Sequence, residues 1–361
     1  MNRFLVGLII VASLSCYVTG EDAPTTALWS YDNPSNHKLD ESVLRRIHIG
    51  IEEGNYENIR SLQIYKNQNM VFEKSYDGNS LSDLNPIQDR TLITSLIALG
   101  ILWDNNLIGS LEDPLEMYLP SYLQVFEQDT LKKQITIQDL LTHRTGLSWN
   151  ESIYAFQSNE SDIQQMKRYG DWVAYILEKP LEAIPGTRYS YHSGMGLIIG
   201  EMVKSITSQP MDEFLSQQLF TPLDIKQTDW TTDPTGHIDG SFGLSISQND
   251  IMKIAIMIKN GGIWNNSQIL SKNWLSESSS LKIQVNERYG HGFVWWLLTG
   301  EDYERIDQYE MFYFTDYLGG GLFFFPNEDM IVSISATNFQ RSGLWNYSVS
   351  LISAISRSKT Q

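Results

Sequence analysis

Three serines in this chain are followed by a lysine three residues later, a spacing that suits acyl transfer through a covalent serine ester. The pairs are Ser35–Lys38, Ser279–Lys282 and Ser356–Lys359. On a helix, residues three apart lie on one face, so the lysine can take the proton that makes the serine nucleophilic. None of these pairs opens a buried apolar helix, which is the context that this chemistry needs. The sequence therefore predicts that all three are chance matches.

Four other segments have more specific patterns. Residues 87–100 read Ile-Gln-Asp-Arg-Thr-Leu-Ile-Thr-Ser-Leu-Ile-Ala-Leu-Gly, which indicates an apolar helix with an acidic start. Residues 135–147 contain Leu-Leu-Thr-His-Arg-Thr-Gly-Leu, and residues 185–200 contain Tyr-Ser-Tyr-His-Ser-Gly. Residues 314–326 read Phe-Thr-Asp-Tyr-Leu-Gly-Gly-Gly-Leu-Phe-Phe-Phe-Pro. The positions of these segments along the chain can be compared with those of known catalytic motifs.

Together these segments resemble the serine β-lactamase-like and penicillin-binding-protein-like family, the class C β-lactamase-related serine hydrolases. The resemblance extends over about residues 41–355 and is most specific in residues 135–147. It implies an α/β (α+β) fold of the β-lactamase/transpeptidase type. In that fold an antiparallel sheet is flanked by helices, and a mainly helical cap is inserted, here over about residues 111–235. The expected domain boundaries are 41–356.

The same resemblance implies that the active site is degenerate. The family opens its first helix with Ser-x-x-Lys, but the alignment places Asp89 at the serine and Leu92 at the lysine. A register one residue earlier offers Gln88 and Thr91 instead. Tyr191 and Ser193 fall on the second motif, Tyr-x-Asn or Tyr-x-Ser. These matches leave a tyrosine with no nucleophile beside it to activate.

The third motif, Lys-Thr-Gly or His-x-Gly, is also altered. Phe314 or Thr315 stands at its basic position and Asp316 at its glycine, while the glycines at 319–321 remain. We expect those glycines to permit close backbone approach. Gly200 is expected to allow close packing of the helix that follows the second motif. His143 is expected to be structural, because in this family a polar side chain here bonds a loop to the core.

Three hypotheses follow for function. The first is a pseudoenzyme whose cleft still binds a small molecule or a peptide, and the second is a working esterase, amidase or peptidase with rearranged groups around Tyr191 and Ser193. The third is a structural or interaction protein that uses its outer surface. The hydroxyls of Thr91, Thr94 and Ser95 are expected to pack or to bond carbonyls within their helix. Several aromatic residues either line the cleft or belong to the core: Trp149, Tyr154, Trp172, Trp295 and Tyr317.

The predicted elements begin with a helix over 41–53, a hairpin over 61–65 and 70–76, and a helix over 89–103 capped by Asp89 or a neighbour. Further helices are predicted at 137–142, 162–177, 194–207, 211–219, 248–260 and 344–355. Strands are predicted at 292–298, 311–314, 322–325 and 330–336. These elements must place the four segments around one site.

The ends and the charge of the chain suggest an exported protein. Residues 1–20 have the pattern of a secretory signal, with Arg3, an apolar run and a small-residue cleavage site. The signal contains Cys16, the single cysteine, and residues 21–40 are predicted to be a flexible lead-in. The expected location is secreted, or periplasmic in a bacterium, without a stable membrane span. A net charge of -17 argues against nucleic-acid binding.

The sequence contains four possible glycosylation sites and no metal-binding motif. Sequons for N-glycosylation occur at Asn150, Asn159, Asn265 and Asn346. The six histidines are scattered, and no cluster of His, Asp or Glu has ligand spacing. We therefore expect no metal and no cofactor.

Overall fold

The computed structural model describes residues 28–56, 58–151, 158–287, 289–298, 311–316, 318–337 and 355. The helices in these ranges are α1 (Glu41–Glu52), α2 (Thr91–Asp104), α3 (Leu123–Gln128), α4 (Ile137–Leu141), α5 (Asp162–Met166), α6 (Trp172–Glu178), α7 (Met195–Thr207), α8 (Met211–Leu215), α9 (Gln248–Lys259) and α10 (Lys272–Ser279). Among the described residues, no helix is both long enough and apolar enough to cross a membrane.

The described strands form one large sheet and two small ones. They are β1 (Ile59–Lys66), β2 (Asn69–Ser75), β3 (Asn85–Pro86), β4 (Asp229–Trp230), β5 (Leu244–Ile246), β6 (Ile263–Trp264), β7 (Ser267–Gln268), β8 (Ile283–Gln284), β9 (Tyr289–His291), β10 (Trp296–Leu298), β11 (Phe312–Thr315), β12 (Gly321–Phe325) and β13 (Met330–Ala336).

The large sheet is antiparallel, with the strand order β2-β1-β13-β12-β11-β10-β9-β8. The N-terminal hairpin of β1 and β2 turns at Asn67 and Gln68, which both have positive φ, and it pairs with β13 near the end of the chain. Helices α2 to α10 come between β2 and the remaining strands of this sheet. The fold is therefore the mixed helix and antiparallel-sheet architecture that the resemblance implies.

Both faces of the sheet are covered. On β12, Leu322 and Phe324 point into the larger core, where they pack with α2, α7 and α9. Phe323 and Phe325 point to the opposite face and pack in the smaller core with α1. This alternation follows the two-residue period of a strand, and it explains why the strand is apolar throughout.

Residues 28–40 are packed rather than loose. Tyr31 forms a β-bridge with Met70, Trp29 and Leu39 are buried, and Pro34–His37 is a 3-10 turn. The aromatic and leucine side chains outweigh the polar, Pro/Asn-rich composition from which a flexible lead-in was predicted. The predicted signal, Cys16 and all but Ile355 of the predicted last helix lie outside the described residues.

The region at 111–235, predicted to be mainly helical, contains α3 to α8 and the short strand β4. Two predicted elements differ from the structure. The helix predicted at 162–177 is interrupted between α5 and α6, where Tyr169 and Gly170 lie. Of the strand predicted at 292–298, only residues 296–298 are a strand, β10, because the Gly292 N–H donates to the Trp295 carbonyl and turns the chain before it. Hydrophobic periodicity alone does not predict the interruption or the turn, because apolar residues continue on both sides of each.

Candidate active site

The start of α2 is built on a 3-10 turn, Gln88–Arg90, in which Gln88 has a φ of 53°. Asp89 is buried in this turn. Arg90, and not Asp89, occupies the N-cap position of α2, and no side chain caps the helix. The predicted cap, Asp89 or a neighbour, is thus the neighbour Arg90, because the 3-10 turn holds Asp89 one position before the helix boundary.

Leu92, which the resemblance aligns with the family's lysine, is 1% exposed and belongs to the larger hydrophobic core. The neighbouring hydroxyls are buried too. Thr91 Oγ1 donates to the Gln88 carbonyl, and Thr94 Oγ1 donates to the Thr91 carbonyl. These bonds agree with the expected role of both threonines. Ser95 differs, because its Oγ donates over 2.6 Å to the Gly240 carbonyl of another segment.

Tyr191 lies beside this turn in a group of aromatic rings. Its ring is 4.7 Å from that of His143 and stacks on Trp296 at 6.1 Å. Burial raises the pKa of the Tyr191 phenol well above its ordinary value, and the negative charges of Asp89 and Glu151 raise it further. The structure therefore places the first and second motifs together. It keeps the phenol protonated, so Tyr191 cannot act as a base at neutral pH.

Ser193, the other second-motif position, is fully buried. Both its Oγ and its backbone N–H donate to Glu151 Oε2, at 2.6 Å and 2.9 Å. Trp149 Nε1 donates to the same oxygen. Glu151 is a functional-site residue that sequence reasoning missed, since it lies 42 positions from its partner and in no motif.

The third motif is tied to the first by an ion pair. Arg90 Nε lies 2.6 Å from Asp316 Oδ2, and the two side chains are 2% and 1% exposed. The contact is electrostatic rather than a well-aligned hydrogen bond. Burial raises the pKa of Asp316, and the Arg90 guanidinium opposes that rise. The charges of Arg90, at the first motif, and Asp316, at the third, thus neutralise each other.

The remaining positions of the third motif cannot replace its base. Phe314 is 1% exposed and packs in the larger core, and Thr315 pairs with Gly321 in the sheet. Asp316 Oδ1 accepts the N–H groups of Leu318 and Gly320, which closes a turn.

The glycines at 319–321 have the expected close contacts. Gly319 has a φ of 85°, which favours glycine. A Cβ on Gly320 would lie 2.4 Å from Asp316 Oδ2, and one on Gly321 would lie 2.8 Å from the Phe314 carbonyl oxygen. Gly200 shows only ordinary contacts. The close approach in α7 is at Gly196, where a Cβ would lie 2.1 Å from the Gly240 carbonyl oxygen.

His143 has the structural role expected of it. Its Nδ1 accepts the backbone N–H of His192, so this histidine ties the loop at 143 to the loop of the second motif. Burial lowers its pKa well below the ordinary value, and electrostatic coupling to the nearby His291 and His192 lowers that pKa further. A neutral imidazole that bonds two loops is part of the scaffold.

Most of the aromatic residues proposed for the cleft are in the core. Trp149, Trp172 and Trp295 are 7%, 8% and 1% exposed. Trp149 is stacked on His192 at 4.0 Å. Tyr154 and Tyr317 lie outside the described residues. The half-buried rings that do lie at the site are Tyr189, Tyr191 and Trp296.

The Ser-x-x-Lys pairs in the described residues have local roles. Ser35 Oγ donates to Glu41, and Ser279, at the end of α10, donates to the Leu275 carbonyl. Ser356 and Lys359 lie outside the described residues. Of the sequons, Asn159 and Asn265 are exposed and Asn150 is half-buried, whereas Asn346 also lies outside the described residues.

The sequence shows no His/Asp/Glu cluster with ligand spacing, but the fold brings one together. Asp171, Asp233 and His237 have potential ligand atoms within 4.8 Å of one another. Asp233 and His237 are four residues apart, so this pair is the part of the cluster that the sequence could have indicated. Asp171 comes from a separate helix and could not have been paired with them from spacing.

Known proteins share this architecture. A sequence model of the family described as Beta-lactamase matches residues 92–346, so the match begins just after Asp89. A protein of Salmonella schwarzengrund, whose name is that of a D-alanyl-D-alanine carboxypeptidase, is 24% identical over 251 residues, which are 63% of this chain and 56% of that protein. The chain thus spans little more than half the length of this curated relative.

Solved structures agree with the fold. EstCE1, a hydrolase with promiscuous acyltransferase activity, superposes with a TM-score of 0.72 at 14% identity, over 88% of this chain and 99% of that one. A class C beta lactamase from Rhodobacter sphaeroides superposes with a TM-score of 0.61 at 15% identity, over 87% of this chain and 99% of that one. At such identities these likenesses establish the fold and not the activity.

Proposed function

The chain belongs to the Beta-lactamase family, and we propose that it is a member without acyl-serine chemistry, a pseudoenzyme with a residual ligand cleft. One observation carries this proposal. The position of the nucleophile holds the buried Asp89, and the position of its base holds Leu92 within the hydrophobic core. The family's reaction needs a hydroxyl and a proton acceptor at those two positions.

Electrostatics adds to the argument. A hydrolase of this type must stabilise a developing oxyanion, and each hydrogen-bond donor that does so raises kcat by about 10²- to 10³-fold. A carboxylate at Asp89 would repel that charge. Loss of the nucleophile from a comparable triad costs about 10⁶ in kcat. The Arg90–Asp316 pair gives no help, since its positive charge is neutralised inside the protein.

A rearranged hydrolase that uses Ser193 is the second candidate, and the 2.6 Å bond from its hydroxyl to Glu151 is the observation in its favour. Full burial of Ser193 is the counter-argument, because a substrate carbonyl cannot reach this oxygen without displacing its surroundings. Glu151 Oε2 is also occupied by the two other donors, Ser193 N–H and Trp149 Nε1.

Intact-mass spectrometry tests the choice directly. The protein is incubated with a fluorophosphonate probe and with a penicillin, and turnover of a p-nitrophenyl ester is followed in the same samples. We expect no adduct and no turnover above a heat-denatured control. A stoichiometric adduct that disappears in Ser193→Ala, but persists in the matched variant Thr91→Val, would overturn the proposal and identify Ser193 as the nucleophile.

Ligand binding and export complete the proposal. The half-buried rings of Tyr191 and Trp296 offer a surface for a small molecule or a peptide. Because the name of the Salmonella relative refers to D-alanyl-D-alanine, a peptide ending in D-Ala-D-Ala is the first ligand to screen by thermal shift. Export rests on the signal-like residues 1–20, and N-terminal sequencing of protein collected from the culture medium or periplasm tests it.

A further inference from the structure

A buried acidic cluster lies in the helical region. Asp171 is the N-cap residue of α6, where its Oδ1 accepts the Ala174 N–H. Asp233 and His237 lie on the loop between β4 and β5, and Glu201 lies on α7. The side chains of Asp233, Glu201 and His237 are 0%, 6% and 11% exposed. Three segments that are distant in sequence thus bring three carboxyl groups to one imidazole.

Three oxygen atoms surround one nitrogen of that imidazole. His237 Nδ1 is 2.8 Å from Asp233 Oδ2, 2.9 Å from Thr235 Oγ1 and 3.7 Å from Asp171 Oδ1. A ring nitrogen carries at most one hydrogen, so it can donate to only one of the two carboxylate oxygens, whereas the Thr235 hydroxyl is itself a donor, to Asp233 Oδ1. A cation bound to the nitrogen would interact favourably with both carboxylates.

An independent feature lies on the other side of the ring. Glu201 Oε2 is buried and has no hydrogen-bond partner. It is aimed at His237 Nε2, 3.5 Å away, and its nearest cation is the half-exposed Lys204, whose Nζ is 3.6 Å distant. Such a buried carboxylate is unfavourable unless the group that it faces carries positive charge.

We propose that Asp171, Asp233 and His237 bind a divalent transition-metal ion through two carboxylate oxygens and the imidazole Nδ1. Imidazole favours zinc-like ions and carboxylates favour harder ones, so a mixed set of this kind suits Zn²⁺ or Mn²⁺ more than Ca²⁺. The ligand atoms lie within 4.8 Å of one another, which lets one ion reach them all after small side-chain adjustments. Asp171, whose side chain is 30% exposed, provides the route from solvent.

The surroundings match the outer shell of a metal site. Tyr122 OH donates to Asp171 Oδ2 over 3.0 Å and lies 3.2 Å from His237 Nε2. With Nδ1 on the metal, the Nε2–H can be donated to the Tyr122 oxygen, toward Glu201. A ligating histidine almost always donates its second N–H to a carboxylate or another acceptor, and this fixes the tautomer. The proposed ion would link α6, α7 and the loop of Asp233.

Isothermal titration of the full-length protein, first dialysed against EDTA, tests the site with ZnCl₂ and MnCl₂. We expect one ion per chain, bound at least 100-fold more tightly than Ca²⁺. Asp171→Asn should lower the Zn²⁺ affinity at least 100-fold, while asparagine preserves the helix cap. His237→Gln should have the same effect, and Glu201→Gln should lower the affinity about 10-fold.

His37→Gln is the matched control, because His37 pairs with Asp32 at 2.9 Å but belongs to no group of three potential metal ligands among the residues that the structure describes. This variant should bind Zn²⁺ as the natural protein does. Circular dichroism of each variant verifies that it is folded. Absence of one-to-one binding, preference for Ca²⁺, or an affinity that is unchanged in both Asp171→Asn and His237→Gln would overturn the proposal.

Discussion

At the scale of single residues, the hydroxyl of Ser193 donates to a buried carboxylate, which is a contact that an activated nucleophile also makes. Its surroundings indicate a different role. Glu151 Oε2 accepts Ser193 N–H and Trp149 Nε1 as well as the hydroxyl, so it serves as an anchor for the loop of the second motif. Hydrogen bonds to a charged acceptor contribute about 1.5–3 kcal/mol each.

Ser193→Ala should therefore lower the free energy of unfolding by about 1–3 kcal/mol, because the hydroxyl bond to Glu151 is lost. Ester hydrolysis should stay at background in both proteins. Urea unfolding measures the first quantity. Ser190→Ala, in the same loop, is the control and should change stability by less than about 0.5 kcal/mol. Equal stability of Ser193→Ala and the natural protein would contradict the anchoring role.

The sequence predicted the residues of the motifs but not their partners. Asp89 and Tyr191 were expected in one site, and the charge of Asp89 does raise the Tyr191 pKa. Glu151 could not be predicted, because side chains that meet only through the tertiary fold leave no spacing signal. The same is true of Arg90 and Asp316, which form a buried ion pair although they are 226 positions apart in the sequence.

At the scale of elements, the Arg90–Asp316 pair joins the start of α2 to the end of β11. Breaking a buried pair by removing one partner costs about 3–5 kcal/mol, since the other charge is left uncompensated. Asp316→Asn should therefore lower the free energy of unfolding by about 3–5 kcal/mol. The side-chain oxygen of the asparagine can still accept the Leu318 and Gly320 N–H groups. The measurement is urea unfolding of this single variant.

The double variant Arg90→Met/Asp316→Asn should regain much of the lost stability, because no buried charge remains. Asp224→Asn is the control, because Asp224 forms an exposed pair with Lys226, and this variant should be as stable as the natural protein. Arg90→Met alone completes the comparison. If the loss of stability in the double variant equals the sum of the losses in Arg90→Met and Asp316→Asn, the two charges are not coupled and the proposed link between α2 and β11 is wrong.

Elements with clear periodicity were predicted well, including α1, α7, α9 and the strand β13. The predictions that differ from the structure do so for local reasons. Gly200 was expected to permit close helix packing, but Gly196 is the residue that contacts Gly240, one turn earlier on α7. Both glycines lie on the same face of the helix, so spacing cannot distinguish them; only the path of the neighbouring chain does.

At the scale of the whole molecule, buried neutral histidines make stability depend on pH. Burial lowers the pKa of His192 to about 4 and that of His291 to about 4, from an ordinary value of 6.5. The unfolded chain therefore binds more protons than the folded one between pH 6.5 and 4. Each histidine makes its whole contribution to the free energy of unfolding above pH 6.5. That contribution is lost as the pH falls toward 4, by up to about 3 kcal/mol for each histidine.

His192→Phe isolates this effect, because phenylalanine can keep the 4.0 Å stacking on Trp149 and removes two ring nitrogens that have no hydrogen-bond partner. We expect equal or slightly higher stability at pH 7 and a loss of stability between pH 6.5 and 4 that is smaller by about 2–3 kcal/mol. Urea unfolding at a series of pH values gives both numbers. Burial raises the pKa of Asp239 and of Asp316, which acts in the opposite direction, but these groups are common to both proteins and cancel in the comparison. Lys226→Gln, at an exposed position, should follow the natural protein at every pH. An unchanged acid dependence in His192→Phe would mean that His192 is protonated in the folded state and that the second-motif loop tolerates a buried charge.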